Sequence, residues 1–228
     1  MANAIIMASG LGTRMQPLTL TTPKPLIKVH GTPMIETVIG ALKGVDNIFV
    51  VVGYLKEQFQ YLTTKYNNVH LIENPDYERV NNISSIFYAS DKLKLGACYI
   101  CEADLYLRNK NLLANSTKSC YFGKFVKGYS ADWVFERDKD GFITRVGKGG
   151  TDCYNMVGIS YFTAADAGVL SQKIEEAYGK SGYEKLFWDD VVNDNLSKLK
   201  MTVSPVSESD IYEIDTVEEL NLINGRKF

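Results

Sequence analysis

The sequence predicts an α/β fold: a mixed, mostly parallel sheet with helices on both faces and a small antiparallel β lid. Three observations predict it. Short apolar runs alternate with amphipathic stretches between Ala4 and Cys101, the rhythm that builds parallel sheets through right-handed crossovers. Glycines or carboxylates stand just past several of those runs, where open α/β sheets bind ligands. Between Lys118 and Phe162 the texture turns to paired β segments, with Asp140-Gly141 as a hairpin signal.

The chain has 228 residues, 45% hydrophobic and 23% charged. That is enough for one sizeable core, so residues 1–228 are read as one domain with the arm at about 118–162 inside it. A net charge of −2 implies no general attraction to nucleic acid or an anionic membrane, and any phosphate affinity must be local. No apolar run approaches the ~20 residues that span a bilayer. The N-terminus lacks the long apolar segment of a signal peptide, so a cytoplasmic protein is expected.

Ala4–Ala8 reads as a buried strand that opens into a loop with Gly10 and Gly12, whose backbone N–H groups are free to converge on a phosphate. Arg14 adds a fixed charge. Counting excludes two familiar glycine loops: Thr13-Arg14-Met15 stands where a P-loop needs Gly-Lys-Ser/Thr, and Met15 takes the third glycine of a dinucleotide fingerprint. Pro23 and Pro25 restrict the backbone on both sides of Lys24 and present its ammonium from a stiff segment.

After the short strand Ile27–Val29, Thr32 is expected to cap a helix over roughly 33–43, on the spacing of Met34, Ile35, Val38, Ile39 and Leu42. Strand 47–52, a helix through Leu55, Phe59 and Leu62, and strand 69–72 follow. Asn81-Asn82 then cap a helix that carries Ser84 and Ser85 near its start; amides and hydroxyls there could read a base or serve only as caps. Strand 97–101 runs into Glu102-Ala103-Asp104. Cys98 and Cys101, three apart on a strand, point to opposite faces and cannot clasp one metal. With His30 and His70 the only histidines, a zinc site of the usual ligand count is not indicated.

Helices at about 164–179 and 184–196, strand 201–205, and a strand ending at Asp215 complete the chain. Asp104 and Asp215 are two acidic strand ends that can converge on one hard cation such as Mg²⁺. Asp215 taken alone could merely cap the following helix. Aromatics and carboxylates cluster at Tyr129–Trp133, Phe187–Asp190 and Tyr212-Glu213, a composition suited to a small cationic headgroup. The plainer alternative makes Phe187 and Trp188 core residues of an amphipathic helix.

The pattern Gly10-x-Gly12-x-Arg14, with Pro17, Thr19 and then Pro23-Lys24-Pro25-Leu26, resembles the signature of the sugar-nucleotidyltransferase superfamily. Val52–Phe59, Phe187–Asp189 and Tyr212–Asp215 narrow the likeness to the bacterial CTP:phosphocholine cytidylyltransferases and a related branch that activates 2-aminoethylphosphonate with CTP. The resemblance implies a Rossmann-like, nucleotide-diphospho-sugar transferase fold and transfer of CMP from CTP with release of pyrophosphate. Arg14 and Lys24 are then catalytic, at the pyrophosphate and the α-phosphoryl, and Asp104 and Asp215 hold Mg²⁺. The nucleotide set is Ala8, Ser9, Gly10, Gly12, Asn82, Ser84, Ser85 and Glu102. The acceptor set is Ser130, Asp132, Trp133, Lys139, Phe187, Trp188, Asp189 and Glu213.

One departure keeps two acceptors open. Where the family pattern has Asn-Glu-Trp, this chain has Ala131-Asp132-Trp133 after Ser130. A trimethylammonium wants aromatic faces, whereas a primary ammonium wants placed oxygens. Ser130, Asp132 and Asp189 could supply those oxygens and Lys139 could meet a phosphonate. Two rivals stand beside this reading: a hexose-1-phosphate nucleotidyltransferase, and a nucleotide-sensing module without catalysis, which predicts loss of a metal carboxylate or of Lys24. The expected partners are CTP and a small phosphorylated or phosphono amine, with no nucleic acid and no membrane; a homodimer is the assembly considered.

Overall fold

The computed structural model describes residues 2–114 and 116–226. A seven-stranded sheet runs through it in the order β10 (Thr202–Pro205), β8 (Cys120–Arg137), β9 (Ile143–Phe162), β6 (Ala97–Glu102), β1 (Ala2–Ala8), β4 (Asn47–Val52) and β5 (Val69–Glu73). Its parallel part comprises β1, β4, β5 and β6. β9 is antiparallel to β6 and to β8, and β10 runs parallel to β8 at the edge.

Alternation along each strand divides the core into two faces. Ala4, Ile6 and Ala8 of β1 pack with α1 (Met34–Ala41), while Ile5 packs with α3 (Ile83–Tyr88), α5 (Ala164–Ala177) and α6 (Trp188–Asn193). Cys98 and Cys101 fall on opposite faces, as their spacing on a strand requires, and all four cysteines are free and buried. Smaller elements are α2 (Tyr61–Lys65), α4 (Ser90–Leu93) and α7 (Val217–Asn224), plus two two-stranded pairings. One joins β2 (Lys28–Val29) to β3 (Thr32–Pro33); the other joins β7 (Leu105–Leu107) to β11 (Ile211–Glu213). Among the described residues no helix is long and apolar enough to cross a membrane.

Three local expectations change. Thr32 does not cap α1, because it pairs with Val29 and the helix starts only at Met34, after Pro33. The stretch through Leu55, Phe59 and Leu62 divides into a 3₁₀ turn at Lys56–Phe59 and the short α2. The helix expected over 184–196 is a 3₁₀ turn at Tyr183–Lys185 followed by α6, because extended backbone at Phe187 separates them. The arm is continuous with the sheet: β8 and β9 begin or end inside it and project past the end of β6, shifting register repeatedly between Tyr121 and Arg137.

Candidate active site

β1 delivers the glycine loop at its C-terminal end. Gly12 lies at φ 62°, and a Cβ there would stand 2.8 Å from Lys24 Cβ and 3.0 Å from Thr19 Cγ2. Only glycine lets the loop settle onto the Lys24 stem. Thr19 Oγ1 donates to Gly12 O at 2.9 Å and fastens the loop to the segment leading to Lys24.

Lys24 is buried, and its Nζ donates to Asp104 Oδ2 and to Asp215 Oδ1, each at 2.6 Å. Burial alone would lower the ammonium pKa, but the Asp104 and Asp215 carboxylates outweigh it and hold the pKa above the ordinary lysine value. Arg14, mostly exposed, reaches the same Asp215 oxygen at 2.7 Å. The antiparallel pairing of β7 with β11 brings the two acidic strand ends together: Leu105 faces Glu213, and Ile214 N–H donates to Asp104 O at 3.3 Å.

Asp104, Glu213 and Asp215 each offer an oxygen within 4.8 Å of the others. Asp104 Oδ1 is buried with no hydrogen-bond partner among the described residues. An orphaned carboxylate oxygen in an all-oxygen donor set fits a hard divalent cation, which would satisfy it. Glu213 reaches solvent, yet desolvation followed by the charges of Asp104 and Asp215 pushes its pKa up to about 7. Burial, and then Asp104, Glu213 and Asp189, raise Glu102 well above the carboxylate range. The sequence places Glu213 with the acceptor set, whereas the structure groups its carboxylate with those of Asp104 and Asp215; its spacing two residues before Asp215 is the signal in the sequence for that grouping.

A cavity of about 420 Å³ opens over these groups. Ala8, Ser9, Gly10, Gly12, Arg14, Lys24, Asn82, Ser84, Ser85, Glu102, Asp104 and Glu213 all line it. The acceptor residues divide. Trp133 and Phe187, both half-buried, meet edge to face at 5.2 Å. On the same arm Ser130 Oγ accepts from Asp132 N–H at 3.3 Å, and Asp132 Oδ2 accepts from Asn155 Nδ2 at 3.1 Å; none of Ser130, Asp132, Trp133 and Phe187 lines the cavity. Asn155 Oδ1 is buried and without a partner among the described residues. Neither Asn155 nor Asn74, which lies under the cavity floor, carries a motif that marks it in the sequence.

Two expected acceptor residues lie in the core. Trp188 is 4% exposed and stacks on Tyr121 with its ring 5.9 Å away. An amphipathic helix buries the larger face it has, and here that face is the indole. Asp189 Oδ1 accepts from Tyr121 OH at 2.9 Å, and burial pushes its pKa up to about 7. Lys139 does not join the site. It is exposed on the Asp138–Phe142 turn, which folds back onto the start of β10: Phe142 bridges Thr202, and Ile143 N–H donates to Met201 O at 2.9 Å. The register from Thr202 through Cys120 and Tyr161 leads to Tyr99, upstream of Glu102 on β6, with β8 and β9 lying between β6 and the β10 edge.

A strand-end glycine loop, a lysine between two carboxylates and a three-carboxylate cluster are groups of the kind a triphosphate and a divalent cation require. A model of the MobA-like NTP transferase domain matches residues 4–141, and the chain belongs to this family of nucleotidyl-transferring enzymes. It is 56% identical over 221 residues, 96% of this chain and 90% of the other, to a 2-aminoethylphosphonate cytidylyltransferase of Lancefieldella rimae. It is 36% identical to a choline-phosphate cytidylyltransferase of Streptococcus pneumoniae, over 95% of this chain and 94% of that one. The solved structure of the CTP:phosphocholine cytidylyltransferase LicC from Streptococcus pneumoniae superposes with a TM-score of 0.90 at 34% identity, covering 98% and 97% of the two chains.

Proposed function

We propose that this enzyme transfers the cytidylyl group of CTP to 2-aminoethylphosphonate in the cytoplasm, giving CMP-2-aminoethylphosphonate and pyrophosphate. Cytidylyl transfer is common to its full-length relatives. The single observation that carries the choice of acceptor is the 56% identity across nearly the whole chain to a 2-aminoethylphosphonate enzyme, against 36% to a choline-phosphate one. The arm supports it physically. Asp132, next to Trp133 in the chain, accepts from Asn155, whose own Oδ1 is unpartnered among the described residues, and a primary ammonium has three donors to place on such oxygens where a trimethylammonium has none.

The reaction is an in-line displacement. A phosphonate oxygen forms a bond to the α-phosphorus of CTP as the bond to the β-phosphate oxygen breaks. The nucleophile is already an anion, so no side chain need remove a proton, and catalysis rests on positioning and charge neutralisation. Lys24, set by Gly12 beneath its stem and by two carboxylates at its tip, holds the α-phosphoryl and acceptor oxygens. Arg14 takes the leaving pyrophosphate, with the glycine-loop N–H groups behind it. Asp104, Glu213 and Asp215 would hold Mg²⁺, which supplies neutralisation of the triphosphate charge.

Pyrophosphate release with CTP and Mg²⁺ tests this, with 2-aminoethylphosphonate, phosphoethanolamine and phosphocholine compared at equal concentration. The highest kcat/KM is expected with 2-aminoethylphosphonate. Preference for phosphocholine would overturn the acceptor, and silence with all three would return the hexose phosphates to consideration.

A further inference from the structure

Beneath the cavity floor lies a polar cluster to which the reaction above gives no part. Asn74, directly after β5, is 1% exposed. Its Oδ1 accepts from Asp76 N–H at 3.0 Å, which turns its amide nitrogen toward three serines. Nδ2 donates to Ser84 Oγ at 2.9 Å and, at 3.3 Å each, to Ser9 Oγ and Ser85 Oγ. Ser84 Oγ in turn donates its single proton to Asn81 O at 2.9 Å. A hydroxyl has one proton and two lone pairs, so Ser84 has only an acceptor left to offer.

The neighbours have the opposite polarity. Ser9 and Ser85 hydroxyls lie 2.9 Å apart and share one hydrogen bond, so one of their two protons remains. Asn82 Oδ1 accepts from Trp188 N–H at 3.0 Å, leaving the donor end of its amide. Ser9, Asn82, Ser84 and Ser85 all line the cavity.

We infer that Asn74 is a positioning residue for base selection, holding Ser84 as a fixed acceptor for the exocyclic amine of cytosine. The inference rests on the cytidylyl-transfer reading and deepens it. Lys24 and the glycine loop take the phosphates, so the base enters the Ser84 end of the cavity ahead of its ribose. Position 4 is the part of the ring furthest from the ribose bond. Cytosine carries an amine there and uracil a carbonyl. Ser84 accepts from the amine but can only oppose the carbonyl, lone pair against lone pair. The spare hydroxyl proton and the Asn82 amide then face N3 and O2, both acceptors in cytosine; uracil presents an N–H at position 3 and would oppose donor to donor. A buried amide that never touches the nucleotide thus sets the polarity of the groups that do.

Calorimetric titration of CTP and of UTP, with Mg²⁺ and no acceptor, tests the inference independently of the acceptor. Wild-type protein should bind CTP more tightly. Asn74→Asp keeps the size and the acceptor for Asp76 N–H but turns the donor into an acceptor, which frees Ser84 to reorient its proton. It should cut the CTP:UTP affinity ratio by roughly tenfold, the scale of an opposed buried polar pair. Ser84→Ala, a small change that any fold tolerates better, should cut the ratio in the same direction. A Lys24→Ala variant should weaken both nucleotides and leave the ratio unchanged, as a general loss of binding would. The inference is overturned if Ser84→Ala, folded by its thermal melt, keeps the wild-type ratio, or if a folded Asn74→Asp does, or if the wild type does not prefer CTP. A wild type that prefers CTP but releases no pyrophosphate with 2-aminoethylphosphonate defeats the acceptor reading alone.

Discussion

The cavity is walled by strand ends and short loops, whereas the arm is made of two long strands that project past the end of β6. Registers among β1, β4, β5 and β6 run without a break, and the groups at their ends are tied by short bonds: Thr19 to Gly12, Lys24 to Asp104 and Asp215, Asn74 to Ser84. The β8–β9 pair shifts register repeatedly, and each region keeps an unpartnered buried oxygen among the described residues, Asp104 Oδ1 in the frame and Asn155 Oδ1 in the arm. A rigid frame suits groups whose charges must be aimed in advance. An irregular ladder re-aims side chains, which under the proposed function suits discrimination between small amines.

Breaking the frame should cost most. Lys24→Ala is expected to lower kcat by about 10²–10³-fold, the scale of losing one preorganised charge at a transition state. Wild-type turnover in that variant would remove Lys24 from the chemistry. Trp188→Ala should act on folding, destabilising by about 3–5 kcal/mol in denaturant unfolding because a buried indole is deleted. A stable variant with a raised acceptor KM would instead move Trp188 to the pocket wall.

Asp189 sharpens the boundary between core and site. Its pKa in the fold, about 7, stands above its ordinary value of 3.8, so the folded state favours the protonated form. Stability from this group is complete below about pH 4 and is lost as the pH rises through 7. Thermal melts of metal-free protein should fall between pH 5 and 8, and Asp189→Asn should flatten that fall by on the order of 3 kcal/mol. An unchanged slope would show that Asp189 ionises freely. Trp133→Ala should raise the acceptor KM about tenfold while leaving the CTP KM alone, if its ring face meets the ammonium. Lys139→Ala, on an exposed turn remote from the cavity, should change kcat/KM by less than about twofold; a larger loss would mean the turn swings to the acceptor.

The same division explains what could be read from the chain alone. The glycine loop, Lys24, Asp104 and Asp215 were legible because each follows an apolar strand or sits between prolines, so local pattern fixes their place. Asn74 was not, because it matters only through Ser84, Ser9 and Ser85, which a fold of the chain brings beneath one floor. Trp188 and Asp189 looked like partners of a cation, and composition cannot say which face of α6 turns inward. Lys139 was separated from the site by the docking of its hairpin on β10, a contact between distant segments with no sequence mark. Thr32 was lost to a two-residue bridge that competes with helix capping for the same backbone.

The alternation along β6 has a use beyond packing. Burial holds the Cys98 and Cys101 thiols protonated, well above the ordinary cysteine range, and thiolate is the form that alkylating reagents attack. Neither sulfur can react until its surroundings open. Cys98 sits among residues packed under α3 and α5, and Cys101 among those packed under α1. With Cys120 and Cys153 replaced by serine or alanine, the labelling rate at each remaining sulfur would clock the opening of one side of the sheet. The strand therefore carries a separate reporter for each half of the core.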